Sequence, residues 1–153
     1  MSVMLTGHVS FRSSVRRGGP PGERDIIQLN PRRRENILRI AGWTELEPGT
    51  LNVDLDRSQL DRLTPEAATW IEDCASVVYP PPYQHIPQRR QAYFYYRGTL
   101  HVSGKTRAVV VRRAKVPGPI RVEVYAPENL SRSLGLMSGQ AVTLEISSAL
   151  IET

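Results

Sequence analysis

Leu51, Val53 and Leu55 alternate with Thr50, Asn52 and Asp54 directly after the pair Pro48-Gly49. Side chains on a strand point to opposite faces with a period of two, so three aliphatics share one face and three oxygen-bearing groups the other. The same alternation recurs in "PIRVEVY", where Ile120, Val122 and Val124 oppose Arg121, Glu123 and Tyr125. Residues 3 to 12 mix β-branched and aromatic residues with polar ones and predict a first strand. The runs "AYFYYRGTLHV" and "TRAVVVRR" predict a hairpin that turns at Gly104, and "QAVTLEI" predicts a last strand. Three segments carry helical spacing instead. Asn30 as cap, Pro31 at the first position and Gly42 as stop bracket a helix of about three turns. Thr64 and Pro65 open a second, with Ala67, Trp70, Ile71, Cys74 and Ala75 on one face. "PENLSRSLGL" predicts a short third. Between them, residues 13 to 29 hold three glycines and two prolines among charges and read as a long flexible loop. The prolines of "YPPPYQHIPQ" (79 to 88) impose a rigid extended crossing. About six strands with short helices inserted predict a small β-barrel or sandwich with α elements.

The chain has 153 residues, of which 40 % are hydrophobic. That is the length of one ordinary domain, so residues 1 to 153 are read as a single domain that needs no disulfide or metal staple. No apolar run approaches the ~20 residues needed to span a bilayer, and "MSVMLTGHVSFR" lacks the apolar stretch of a signal peptide, which predicts a soluble, cytoplasmic protein. Cys74 is the only cysteine and sits among apolar neighbours, which excludes an internal disulfide and points to a buried small hydrophobe. The net charge of +5 is unevenly placed. Residues 12 to 39 carry eight arginines against Glu23, Asp25 and Glu35, whereas residues 45 to 73 carry eight acids against Arg57 and Arg62. A local anion partner fits this better than a uniformly cationic nucleic-acid surface.

Pattern alone leaves the candidate chemistry open. Thr50 and Asn52 are either the wet side of a sheet or hard-oxygen ligands. Glu123 is either a surface partner of Arg121 or Arg112, or a site carboxylate. Arg32, Arg33 and Arg34 begin a helix and read as a solvated face, with an anion site as the alternative. Tyr93, Phe94, Tyr95 and Tyr96 resemble a stacking platform, yet adjacent strand residues split between faces and core packing accounts for at least half of them. His8, His85 and His101 share no metal-ligand spacing.

Two motifs together carry a resemblance. "PGTLNV" (48 to 53) and "VEVYAPENLSRSLGLMSGQAVTLEI" (122 to 146) resemble, in order and spacing, the CTP-dependent riboflavin kinases typical of archaea, and the agreement runs from about residue 31 to 147. The resemblance implies a six-stranded cradle-loop β-barrel, monomeric or weakly associating, that transfers the γ-phosphate of CTP to the 5′-hydroxyl of riboflavin to give FMN. It implies that Thr50 and Asn52 hold the magnesium ion accompanying the nucleotide. Two residues apart on a strand, their Cα atoms lie roughly 6.5 to 7 Å apart, close enough for both side chains to reach one ion. Magnesium takes hard oxygens at about 2.1 Å and often only one or two protein ligands, so a weak neutral pair suits a metal that arrives with its nucleotide. It further implies that Glu123 addresses the flavin's ribityl hydroxyl. The sequence departs from the family in its glycine-rich segment, where Gly18, Gly19 and Gly22 are displaced and preceded by Arg16 and Arg17; their backbone amides and guanidinium groups would cradle phosphates. The loop "RRAKVPGP" is altered as well. A flavin- or nucleotide-binding module without turnover, or a basic nucleic-acid binder, would use the same barrel, the last with an affinity that falls steeply with salt.

Overall fold

The computed structural model describes residues 2–11, 31–72, 92–115 and 120–147. The expected 13 to 29 loop, the proline crossing, Cys74 and the glycine-rich segment lie outside them. Within them the chain forms seven strands, β1 (Ser2–Ser10), β2 (Leu51–Asp54), β3 (Trp70–Glu72), β4 (Tyr93–Val102), β5 (Lys105–Ala114), β6 (Arg121–Tyr125) and β7 (Ala141–Ser147). Three short helices accompany them: α1 (Pro31–Ala41), α2 (Arg57–Leu60) and α3 (Leu130–Ser133). All pairings are antiparallel, in the order β3-β4-β5-β6-β2-β1-β7, and a further pairing of β4 with β7 closes the strands into a ring.

Alternation along the strands builds two cores. Leu51 and Val53, Val122 and Val124, Val109 and Val111, Phe94, Tyr96 and Leu100, and Leu144 and Ile146 all point to the enclosed face and form the larger one. On the opposite face, Ile37 of α1 packs with Leu46, Tyr95, Val110 and Tyr125 in a second, smaller core. Burial of this kind contributes about 25 cal/mol per Å² of apolar surface, which is why the alternation of the sequence maps so directly onto the sheet. It also divides the four aromatics at the start of β4 between the two cores and a cation contact described below, so they form no exposed stacking platform.

The helix expected from Thr64 onward is not formed. Pro65–Ala67 makes one turn of 3-10 helix, and Trp70–Glu72 then runs as β3 beside Tyr93, Phe94 and Tyr95. Tertiary anchors override the local apolar spacing. Tyr96 donates its hydroxyl to the carbonyls of Leu63 (3.0 Å) and Thr64 (2.8 Å), and Arg113 donates to those of Leu60 (3.2 Å) and Leu63 (2.9 Å). Burial pushes the Tyr96 hydroxyl well above the usual tyrosine range, so it stays a donor. With the preceding turn pinned, the Thr69 amide reaches the Tyr95 carbonyl at 2.8 Å and Trp70 stacks on Tyr95 with ring centroids 4.5 Å apart. Ile71, expected on a buried helix face, is instead 52 % exposed. The third helix is shorter than "PENLSRSLGL" and begins where the Asn129 side chain accepts from the Arg132 amide. No described helix is long and apolar enough to cross a membrane.

Candidate functional site

The register of six neighbouring strands lines up one row of side chains on the outer face of the ring. Ser10 pairs with Asn52, Asn52 with Glu123, Glu123 with Arg112, Arg112 with Tyr95, and Tyr95 with Trp70. Directly opposed residues of antiparallel strands hold their Cβ atoms about 4.5 to 5.5 Å apart, so each member adjoins the next. Two sequence-predicted site residues from distant parts of the chain, Asn52 and Glu123, are thereby immediate neighbours. Both keep partial exposure, while the aliphatics on either side of each are buried.

Glu123 accepts a close charge-assisted hydrogen bond from Arg112, one of the two surface arginines the sequence offered as its partner. Arg112 is no surface arginine, however, because it is only 6 % exposed. Its guanidinium lies 4.3 Å from the centroid of the Tyr93 ring and 6.0 Å from that of Tyr125. Arg121, the other candidate, bonds to Asp54 at 3.1 Å, directly across from it on the neighbouring strand. That contact gives Asp54, which belongs to no motif, a structural role.

A second ion pair flanks the row. Arg33 was expected on a solvated helix face together with Arg32 and Arg34; it is instead 3 % exposed, four residues before the buried Ile37 on the side of α1 that meets the sheet. Its Nε and Nη2 bind the two oxygens of Glu72 at 3.0 and 2.6 Å, and Tyr95 donates its hydroxyl to the same carboxylate at 3.1 Å. Arg33 also lies 5.5 Å from the Tyr93 ring, so one aromatic ring serves two guanidinium groups. Sequence reasoning missed Glu72 and read Arg33 and Arg112 as surface side chains, because each owes its position to a strand pairing or a helix docking that local spacing does not encode.

Thr50 lies one residue ahead of β2 and lines a cavity of about 130 Å³ together with Glu47, Leu51, Val124, Glu128 and Asn129. Asn52 is not among the residues lining it. Buried aliphatics form the cavity floor, and its rim holds two carboxylates: Glu128, bound by Arg107 at 3.0 Å, and Glu47, which accepts from the Gly49 amide at 3.4 Å. Among the described residues, no group of three or more His, Cys, Asp or Glu side chains converges on a metal position. The oxygen donors the sequence offers are the Asn52 amide, directly opposite Glu123, and the Thr50 hydroxyl, one residue ahead of β2 at the cavity. These are hard and neutral, a set that fits a magnesium ion supplied with most of its ligands by water and phosphate rather than one caged by the protein. Arg16, Arg17, Gly18, Gly19 and Gly22 lie outside the described residues.

No family model matches this chain, and no curated protein sequence matches it.

Proposed function

We propose that the protein is a phosphotransferase of the CTP-dependent riboflavin kinase kind, moving the γ-phosphoryl group of CTP to the 5′-hydroxyl of riboflavin to give FMN and CDP. The observation that carries this reading is the direct cross-strand pairing of Asn52 with Glu123. The two motifs that resemble that family sit far apart in sequence, and a kinase needs the metal-binding residue of one next to the acceptor-binding residue of the other. The closed ring of antiparallel strands agrees with the cradle-loop barrel that the resemblance implies.

In this reading Thr50 and Asn52 hold magnesium, Glu123 accepts a hydrogen bond from the flavin hydroxyl, and Gly18, Gly19 and Gly22 with Arg16 and Arg17 cover the phosphates. Bound magnesium offsets charge on the phosphoryl group in transfer. The hydroxyl oxygen bonds to the γ-phosphorus as the bond to the β–γ bridging oxygen breaks; CDP leaves and the hydroxyl proton is released. Such transfers depend chiefly on positioning and electrostatics, which suits a carboxylate held in place by an arginine.

The test is incubation of the protein with riboflavin, magnesium and CTP, ATP, GTP or UTP in turn, with chromatography for FMN. FMN should form, and most with CTP. Binding of riboflavin or CTP without FMN from any triphosphate would replace the kinase with a sensor on the same ring. Asn52→Ala should lower turnover by about 100-fold or more, since even the outer partners of metal ligands cost 10- to 100-fold when removed; undiminished turnover would sink the metal assignment.

A further inference from the structure

We propose that Arg112 is the positioning residue of this site, holding the Glu123 carboxylate in one orientation beside Asn52. The inference rests on the phosphotransferase reading above.

Three observations converge on it. Arg112 and Glu123 are directly opposed on β5 and β6, so the backbone register brings the two side chains together before any rotamer is chosen. The guanidinium itself is restrained, being buried, seated over the Tyr93 ring and within 6.0 Å of the Tyr125 centroid. Glu123 differs from its partner in being 29 % exposed at the side chain against 7 %, so it alone of the pair offers a surface to a substrate. A surface carboxylate loses its orientation to rotamer freedom, and one bonded to a rigid, desolvated arginine does not. Within the row from Ser10 to Trp70, Glu123 is the one carboxylate, and Arg112 lies between it and the aromatic packing under α1. Arg112 thus ties the orientation of the acceptor-binding group to the second core. Lysine would keep the charge at this position without reproducing the planar fork that fixes a carboxylate.

A double-mutant cycle tests the role, using Arg112→Lys, Glu123→Gln and their combination. The readouts are kcat and the riboflavin KM for FMN formation, with riboflavin affinity followed separately by quenching of flavin fluorescence. Arg112→Lys should lower kcat about tenfold while leaving the riboflavin KM and affinity within about twofold; on the Glu123→Gln background the same change should cost less than about twofold. Equal losses on both backgrounds, or a raised KM at unchanged kcat, would overturn the positioning role while leaving the kinase intact. Absence of FMN from the unaltered protein would overturn the kinase reading and the positioning role together. Tyr93→Leu removes the ring beneath the guanidinium and leaves the charge, so it decides the question in the same way if Arg112→Lys fails to fold. It should lower kcat about threefold, and only where Glu123 is present.

Discussion

Arg33 stands in the first turn of α1, where the exposed amides of a helix already present partial positive charge and a cation is disfavoured. Glu72 offsets both this and the cost of burial by binding the guanidinium through two oxygens, and Tyr95 supplies a third hydrogen bond to the same carboxylate. Removing one partner strands a charge in a site with almost no water. Glu72→Gln and Arg33→Met should therefore each destabilise the protein by about 3 to 5 kcal/mol, whereas the double change to methionine should cost less than either alone. Urea unfolding midpoints of the three variants would check this, and an additive loss would contradict it. The pair of His101 with Glu145 at 3.0 Å is the contrasting case: both side chains are more than a third exposed, and solvent leaves such a contact little to contribute. None of this is legible from residue type, since Arg32, Arg33 and Arg34 are indistinguishable until the helix docks and turns one of them inward.

β4 is the element on which the architecture turns, because it pairs with β5 along its whole length and shares its other edge between β3 and β7. Gly98 sits where that second edge passes to β7. A Cβ there would lie 2.6 Å from the Glu145 carbonyl oxygen and 3.1 Å from Cδ1 of Ile146, so the backbones can approach this closely only without a side chain. Gly98→Ala should open the ring closure and cost about 2 to 3 kcal/mol, read as a fall in the thermal midpoint. At the far end of β4 the two-residue turn Ser103-Gly104 has φ of 49° and 76°, as a hairpin of this kind requires. Serine pays for that conformation, and Ser103→Gly or Ser103→Asn should raise stability by roughly 0.5 kcal/mol. The turn was legible in the sequence because turn chemistry is local. β3 was not, because its three residues become a strand only when Tyr96 and Arg113 pin the preceding turn against β4 and β5.

For the molecule as a whole, the ring makes one cooperative unit of segments that are distant in sequence. Gly98 to Leu100 are paired on both sides, with β5 and with β7, whereas β3 can detach along one short edge. Hydrogen exchange followed by NMR should find the central β4 amides among the slowest, and that of Ile71 about 100-fold faster or more. Equal protection would mean that β3 is integral to the ring rather than appended to it. The sequence by itself determined what nearest neighbours decide: the alternation that sorts Leu51, Val53, Val122 and Val124 inward, the proline and glycine that bracket α1, and the turn at Gly104. It also placed Asn52 and Glu123 on the polar faces of their strands. Only the tertiary structure decided that those two strands adjoin in the register that sets Asn52 against Glu123, that Arg112 rather than Arg121 holds the carboxylate, and that Arg33 and Glu72 meet in the interior. The division has one physical cause. Periodicity and turn conformation are fixed within a few residues of chain, but the partner of a polar side chain is fixed by register and burial, which depend on segments the local sequence does not contain.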